Sequence, residues 1–453
     1  MANETAKEEN ILDELTALAE NKEYRALKDR LAELNNADAA EFLESLPAKL
    51  LPVVFRTLPK APAAEIFSYL SQTSQERLIN VITAEEASKI IDELNVDDAV
   101  DALEELPANV VKKILRHTEA DTRRLINQFL NYPDDSAGSI MTAEFVDLRQ
   151  EMTVSQAFER IRGVGLDSET VYTCYVTDNN RRLEGVITVR RLFLSDLAAP
   201  IKDIMDTDII SVQTTVDRED VAKMISKYDF LSLPVVDQEE RLVGIITVDD
   251  IVDVIREEAT EDIEKMAAML PSQRPYLQTG VLELAKNRIV WLLVLMISAM
   301  ITGHVLDTFQ SSFLVMPLLV TFIPMLMDTG GNAGSQSSTM IIRGMALSEI
   351  KLADAGKVLW KEIRVSLLVG FILGLVNFIR LYFTYGYGMV GLVVALSLLV
   401  TVVIAKSIGC LMPLLAQLLR FDPAIMAAPL ITTMVDAISM ILYFNIARVL
   451  LGL

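Results

Sequence analysis

The sequence predicts a multidomain protein with an all-α helical-repeat N-terminal domain, a tandem pair of α/β units, a connecting helix and a five-helix α-helical transmembrane domain. Three observations predict this order: a helical repeat near the N-terminus, a second repeat of mixed helices and strands, and long uncharged stretches in the last third. The predicted boundaries are 1–132 for the helical domain, 133–200 and 201–257 for the α/β units, 258–286 for the connecting helix and 287–453 for the transmembrane domain.

Charge and hydrophobicity divide the chain into two halves. The 453 residues are 51% hydrophobic and carry a net charge of −21. Residues 285–453 hold 11 Lys and Arg against 7 Asp and Glu, a net of +4, which leaves −25 for the first 284 residues. Such an acidic half excludes nucleic acid as a partner and favours cations, because phosphate binding needs clustered basic residues. The apolar half predicts membrane lipid as its surroundings, which excludes a simple soluble enzyme.

The helical domain is predicted from a weak repeat of 23 to 24 residues between residues 37 and 130. Its copies begin AAEFLESL, AAEIFSYL, ASKIIDEL and VKKILRHT. The apolar spacing is typical of amphipathic helices that stack as hairpins, with breaks at Pro47, Pro59 and Pro107. An ordinary helical bundle is the alternative.

Each α/β unit opens with an Ile-Met pair, at residues 140–141 and 204–205. Each then reads helix, strand, strand, helix, with turns predicted at residues 178–180 and 237–240. Both copies contain a GhhTV segment, GVITV and GIITV.

These tandem units resemble a CBS-domain pair, a regulatory α/β module. The resemblance implies an adenine-nucleotide site, for which ATP is the candidate, at a Gly-h-h-Thr-x-x-Asp motif. The second copy has this motif at Gly244, Thr247 and Asp250, whereas the first has Arg191 at the Asp position. A single ATP site is therefore expected, with a purely structural role as the alternative.

Five membrane spans are predicted from the apolar stretches, since a span takes about 20 apolar residues. They cover residues 289–308, 313–343, 362–384, 389–413 and 424–450. Basic residues before the first span and between the second and third predict cytoplasmic loops. We therefore expect cytoplasmic N-terminal domains, no cleaved signal peptide and a C-terminus outside.

Polar residues inside the predicted spans indicate function, because unpaired charge in hydrocarbon is costly. The segment PMLMDTGGNAGSQS at 324–337 predicts irregular backbone within the second span. Asp436 lies 13 residues after the expected helix start at Pro423, or roughly 20 Å along the helix, with Pro429 expected to kink it. We expect Asp436 to line a cation path, with a protonated structural Asp as the alternative. Lys406 either neutralises a carboxylate or, as favoured here, snorkels to an interface.

The domain order, TGGNAGSQS and the segment from Asp422-Pro423-Ala424 to Thr432-Thr433-Met434-Val435-Asp436 together resemble the MgtE magnesium channels. The resemblance implies a homodimer in the plasma membrane, the inner membrane of bacteria, with one Mg²⁺-selective pore lined by the second and fifth spans. It implies that Asp436 is the pore aspartate. Asn332, Gln336 and Thr432 are expected to line the pore as well, with helix packing as the alternative.

The resemblance also implies a cytoplasmic Mg²⁺ sensor made of carboxylates, at Asp97, Asp101, Asp217, Glu219, Asp229, Asp250, Asp253, Glu258, Glu261, Asp262 and Asp422. Asp97 and Asp101 are four residues apart on one predicted helix face, where like charges repel unless cations intervene. The hypothesis is that Mg²⁺ bridges the N-domain, the CBS pair and the connecting helix at high concentration and closes the pore. Solvated surface charge is the alternative for each carboxylate.

Other classes of protein fit the sequence less well. A CBS-regulated transporter of another solute and a membrane-tethered Mg²⁺ or nucleotide sensor are the alternatives. An enzyme is not expected, because His117 and His304 lack metal-ligand spacing and no GxxxxGK[ST] phosphate loop occurs.

Overall fold

The computed structural model describes the chain in segments, with backbone alone for residues 2–10 and 385. The described residues are 2–47, 49–104, 106–166, 168–272, 276–277, 279–309, 316–386, 388–426 and 428–452. They form two compact units, Met1–Glu257 and Glu258–Leu453.

Ten helices begin the described part of the first unit. Helices α1 to α10 span Ala2–Glu20, Tyr24–Leu31, Asn36–Ser45, Leu51–Phe55, Lys60–Ser68, Gln72–Val81, Ala84–Ile91, Val96–Glu104, Ala108–Leu115 and Ala120–Phe129. From α3 onward each helix packs against the second one after it, so that α3, α5, α7 and α9 form one layer and α4, α6, α8 and α10 the other. This arrangement is the stack of helical hairpins that the repeat predicts.

Local signals in the sequence start several of these helices. Pro59 and Pro107 directly precede α5 and α9, where an extended proline ends the preceding turn. Thr83 accepts a hydrogen bond from the Glu86 amide, and the Glu86 carboxylate accepts one from the Thr83 amide. This capping box satisfies two amides at the start of α7.

Two three-stranded sheets follow, with strand orders β1-β2-β3 and β4-β5-β6. In each sheet the first pair is parallel and the second antiparallel. The elements are β1 Phe145–Leu148, α11 Val154–Val164, β2 Thr170–Thr177, β3 Leu183–Thr188, α12 Val189–Phe193, β4 Val212–Gln213, α13 Arg218–Tyr228, β5 Ser232–Val236, β6 Leu242–Thr247 and α14 Val248–Met266. The predicted order omitted β1 and β4, because strands of four and two residues carry too little alternation to be recognised.

The predicted turns and the glycines of the GhhTV segments have clear structural roles. Asp178 and Asp237 each accept hydrogen bonds from amides two and four residues later, which closes both hairpins. A side chain at Gly185 would collide with Met205, and one at Gly244 with Met141. The Met of each Ile-Met pair therefore packs on the backbone of a GhhTV glycine.

The connector was predicted to be a single helix over 258–286, and this prediction is wrong. Helix α14 continues from the second CBS copy and ends at Met266, where Ala268 adopts a left-handed conformation with φ 54°. The next helix, α15, begins at Val281.

The second unit continues with five long helices among its described residues: α15 Val281–Thr308, α16 Ile323–Ala346, α17 Ala355–Tyr385, α18 Gly388–Leu418 and α19 Ala428–Leu451. Short 3-10 helices at Pro317–Phe322, Leu352–Asp354 and Pro423–Met426 precede α16, α17 and α19.

Among the described residues, four helical segments are long and apolar enough to cross a membrane, at Val281–Thr308, Leu352–Thr384, Gly388–Leu418 and Pro423–Leu451. Helix α16 is not among them because its polar residues lower its hydrophobicity, so the count of five spans is not confirmed. The start of the predicted second span, residues 313–315, lies outside the described residues.

The expected irregular backbone in the second span is wrong, because α16 is a continuous helix. Its glycines allow close packing instead. A side chain at Gly330 would collide with Val435 of α19, and one at Gly409 of α18 would overlap the Gly334 carbonyl oxygen. Small residues bring the backbones of α16, α18 and α19 close together.

Candidate functional site

An acidic cluster forms within the first unit, and three of its members lie on α8. Asp97 and Asp98 are half-buried near the start of this helix, and Asp101 follows one turn later with an exposed side chain. Asp250 of α14 interacts electrostatically with all three, and Glu169, just before β2, interacts with Asp97 and Asp98. The predicted carboxylates Asp97, Asp101 and Asp250 therefore come together.

Burial and mutual repulsion raise the pKa values in this acidic cluster. Burial, with repulsion from Asp250, Asp249 and Glu144, raises the pKa of Asp98 to about 6. Burial, with repulsion from Asp250 and its neighbours, raises the pKa of Glu169 to about 7. The same causes raise the pKa of Asp97 well above its usual value. Ionised carboxylates in this cluster thus oppose the folded arrangement unless a cation compensates them.

A buried oxygen of the cluster lacks a hydrogen-bond partner. Asp97 Oδ1 is buried and accepts no hydrogen bond. Nearby, the Asn95 side chain donates to Glu169 Oε2 and Thr247 Oγ1 donates to Asp250 Oδ2. A buried, unpaired carboxylate oxygen among like charges fits a position that faces a cation or its water shell.

The predicted sensor residues of the second CBS copy have local roles. Asp217 caps α13 by accepting from the Glu219 amide at 2.8 Å. Glu219 pairs with Lys223 at 2.9 Å, and Asp229 ends α13 in a left-handed conformation with φ 54°. Asp253 pairs with Arg256 at 3.2 Å. Asp253 also interacts electrostatically with Asp250 of the cluster.

A second acidic group lies in the second unit, at the end of α14. Lys265 Nζ lies 2.5 Å from Glu261 Oε1 and 2.7 Å from Asp422 Oδ2. Asp422 also accepts from the Ala424 amide at 2.8 Å and so starts the 3-10 turn before α19. The structure therefore brings Asp422 to the connecting helix, as expected, but a lysine ammonium already neutralises it. Glu258 and Asp262 lie on the same helix and are half-buried.

The predicted nucleotide motif ends β6 and starts α14. Thr247 is buried, and its hydroxyl donates to Asp250 Oδ2 at 2.5 Å. In the first CBS copy, Thr188 Oγ1 instead accepts from the Arg191 amide at 3.3 Å. The two copies thus differ at the last position of the motif, which is Asp250 in the second copy and Arg191 in the first. Asp250 belongs to both the acidic cluster and this motif.

Asp436 lies on α19 and faces α16. Its Oδ1 is buried and accepts no hydrogen bond, and the carboxylate interacts electrostatically with Asp328 of α16. Two expectations about its helix are wrong. The α-helix begins at Ala428, so Asp436 lies about 12 Å along it rather than 20 Å. Pro429 is its second residue, where proline is tolerated without a kink.

A polar stripe runs along α16, made of Asp328, Asn332 and Gln336. These residues are four apart, so they share one helix face, and all three are exposed in the single chain. Thr432 is placed differently, because its methyl group packs where a side chain at Gly331 would lie and its hydroxyl donates to the Ala428 carbonyl at 2.7 Å. The helix-packing alternative fits Thr432 better than a pore-lining role.

The favoured prediction for Lys406 is wrong. Lys406 does not snorkel: it is 6% exposed and lies 3.6 Å from Glu362 Oε2. The neutralising alternative is therefore correct.

Sequence reasoning missed Asp98, Glu169 and Asp328 as members of these sites. Asp98 adjoins Asp97 and Asp328 stands four residues before Asn332, so a helical-face argument could have found both. Nothing local marks Glu169, which is far from α8 in sequence. In the part of the chain that the structure describes, no three acidic, histidine or cysteine side chains are arranged to hold a metal ion directly.

Comparison with known proteins identifies the family of this chain. The MgtE family model, described as a divalent cation transporter, matches residues 323–446. The model of the MgtE intracellular N domain matches residues 34–135, and the CBS domain model matches 137–196 and 201–257. The magnesium transporter MgtE of Thermus thermophilus is 36% identical over 98% of this chain and 99% of its own length.

This chain belongs to the MgtE family. The predicted resemblance is confirmed, and because MgtE proteins are transporters, the expectation that the chain is not an enzyme is confirmed as well. The magnesium transporter MgtE of Bacillus subtilis is 31% identical over 94% of this chain and 93% of its own length.

Two solved structures of soluble regions are similar to part of this chain. The soluble part of a magnesium transporter has a TM-score of 0.53 and 32% identity, and covers 56% of this chain and 99% of that chain. The cytosolic domain of the Mg²⁺ channel MgtE in complex with ATP has a TM-score of 0.52 and 36% identity, and covers 54% of this chain and 99% of that chain. The expected helical N-domain followed by a CBS pair is therefore confirmed.

Proposed function

We propose that this protein is a homodimeric Mg²⁺ channel or transporter, in which the ion crosses the membrane between the α16 and α19 helices of two copies. The observation that carries this proposal is Asp436, whose buried Oδ1 lacks a hydrogen-bond partner beside Asp328 of the polar stripe. An unpaired acidic group on a membrane helix is stable mainly where it meets a cation, water or a partner.

The polar stripe supports the homodimer. Asp328, Asn332 and Gln336 are exposed on one face of α16, where contact with lipid would leave a carboxylate and two amides unsatisfied. A second copy with the same stripe would enclose these groups around a water-filled path. We place the protein in the plasma membrane, with the first unit in the cytoplasm and the C-terminus outside.

The chemistry of the path favours hydrated Mg²⁺. Mg²⁺ keeps several of its waters and binds through one or two carboxylates, whereas Ca²⁺ takes many direct oxygen ligands. Asp436 from each copy would supply two carboxylates that face the ion through its water shell. The absence of a direct metal cage among the described residues is consistent with this mode of binding.

We further propose that cytoplasmic Mg²⁺ closes the path by binding the acidic cluster around Asp97, Asp98 and Asp250. The elevated pKa values of this cluster reflect burial and mutual repulsion, which both oppose ionised carboxylates in the compact form. A cation that neutralises these charges stabilises the compact form. If the cluster is assembled only when the channel is closed, the bound cation therefore favours the closed channel. The other predicted sensor residues, Asp217, Glu219, Asp229, Asp253, Glu258, Glu261, Asp262 and Asp422, remain candidates for weaker sites.

ATP is proposed as a second ligand of the CBS pair, at Gly244, Thr247 and Asp250. The hydroxyl and carboxylate of this motif lie together at the start of α14, and a relative with 36% identity has been solved in complex with ATP. Because Asp250 also belongs to the acidic cluster, bound ATP would alter the Mg²⁺ affinity of that cluster.

Mg²⁺ influx into liposomes that contain the purified protein tests the transport proposal. Asp436→Asn keeps the size of the side chain but removes its charge, so we expect at least a tenfold loss of influx, because the residual attraction for a divalent cation is small. Asp307→Asn is the matched control, since Asp307 is an exposed carboxylate at the end of α15, and its influx should stay within twofold of wild type.

Other outcomes would support other functions. Influx that survives Asp436→Asn would place the ion path elsewhere. Wild-type protein that carries a different solute but no Mg²⁺ would support a CBS-regulated transporter of that solute. No flux of any solute would support a membrane-tethered sensor.

A further inference from the structure

A buried polar triad, made of Ser337, Glu362 and Lys406, joins three helices of the second unit. Lys406 of α18 is 6% exposed, and its Nζ lies 3.6 Å from Glu362 Oε2 of α17. Ser337 of α16 links the two, because its Oγ accepts from Lys406 Nζ at 3.1 Å and donates to Glu362 Oε2 at 2.6 Å. Burying such an ion pair commonly costs as much desolvation free energy as it returns, so stability alone does not account for it.

The triad adjoins the polar stripe. Ser337 directly follows Gln336, the last residue of the stripe, and successive helical residues point about 100° apart. Because Lys406 Nζ contacts Ser337 Oγ, it lies about one helix width, roughly 10 Å, from the Gln336 end of the stripe. In a partly hydrated protein interior, one uncompensated positive charge at that distance would lower the occupancy of a divalent cation on the order of tenfold.

We propose that Glu362 is the counter-charge that prevents Lys406 from repelling cations on the polar stripe, while Ser337 fixes α16 against both partners. This inference rests on the proposed function, because it takes the stripe as part of the Mg²⁺ path. Glu362 and Lys406 do not touch the ion: they are positioning residues that set the helix contacts and the electrostatic potential beside it.

Four variants of the full-length protein in liposomes test this role, with Mg²⁺ influx compared at equal amounts of monodisperse protein. Glu362→Gln leaves Lys406 uncompensated, and we expect influx to fall on the order of tenfold. Lys406→Met leaves a negative charge, so influx should stay the same or rise. The double variant restores neutrality and should return to within twofold of wild type. Lys357→Met removes an exposed lysine paired with Asp354 and is the control.

The sign of the effect separates electrostatics from packing, because a purely structural triad would make both single variants lose influx alike. Equal losses in both, or unchanged influx in Glu362→Gln, would overturn the inference while wild-type influx still supports the proposed function. If Glu362→Gln does not fold, a loss of influx in Lys406→Met alone would overturn it. Wild-type protein without influx would overturn the proposed function and this inference together.

Discussion

Removing one charge from the acidic cluster should stabilise the first unit. The pKa of Asp98 rises from 3.8 to about 6. The folded form therefore holds its proton to higher pH than the unfolded chain does. The resulting destabilisation is absent below about pH 4, grows between about pH 4 and pH 6, and is complete above about pH 6. A difference of about 2 pKa units corresponds to up to about 3 kcal/mol at pH 8. We expect Asp98→Asn to recover most of this free energy of unfolding at pH 8 and none at pH 4.

The assay is urea unfolding of residues 1–257, followed by circular dichroism without divalent cations. Asp121→Asn is the control, because the Asp121 side chain is 90% exposed and should change stability by no more than about 0.5 kcal/mol. Added Mg²⁺ should stabilise the wild type more than Asp98→Asn, because the variant has less repulsion to relieve. If Asp98→Asn is no more stable than wild type at pH 8, or gains equally at pH 4, the electrostatic account of the cluster is refuted.

Two further predictions concern the second unit. The added methyl group in Gly409→Ala would overlap the Gly334 carbonyl oxygen, so this variant should destabilise the fold by about 3 kcal/mol or more. Its thermal unfolding midpoint in detergent should fall accordingly. Gly303→Ala is the control, because its methyl group meets open space and should leave the midpoint unchanged. Lys265→Gln removes the ammonium that joins Asp422 to α14, at a cost of about 1.5 kcal/mol. Without Mg²⁺, protease should therefore cleave residues 267–272, which follow α14, roughly tenfold faster in this variant. An equal rate in wild type and Lys265→Gln would show that this contact does not hold α14 in place.

Much of the fold could be predicted from the sequence because its signals are local. Repeated apolar spacing predicts the stacked helices, and the paired GhhTV segments predict the CBS copies. The irregular second span was mispredicted because glycines break helices in water but permit close helix packing between membrane helices, as Gly330 and Gly334 do here.

The sites were predicted less completely, because tertiary contacts decide which carboxylates meet. Asp97 and Asp250 were found through the family resemblance, whereas Glu169 reaches the same cluster only through the fold. Asp422 was predicted at the end of α14, but its ion pair with Lys265 has no sequence signature, since the two residues are 157 positions apart. Lys406 was mispredicted for the same reason: its partner Glu362 lies on another helix.

The central claim is that Mg²⁺ on the cytoplasmic side closes a Mg²⁺ path lined by Asp436. Its most direct test is Mg²⁺ influx into liposomes with uniformly oriented wild-type protein, measured while Mg²⁺ is titrated on the side of the first unit at a fixed Mg²⁺ gradient. We expect influx to be high at low sensor-side Mg²⁺ and to fall steeply as Mg²⁺ fills the acidic cluster. Influx that does not change across the titration would contradict the account.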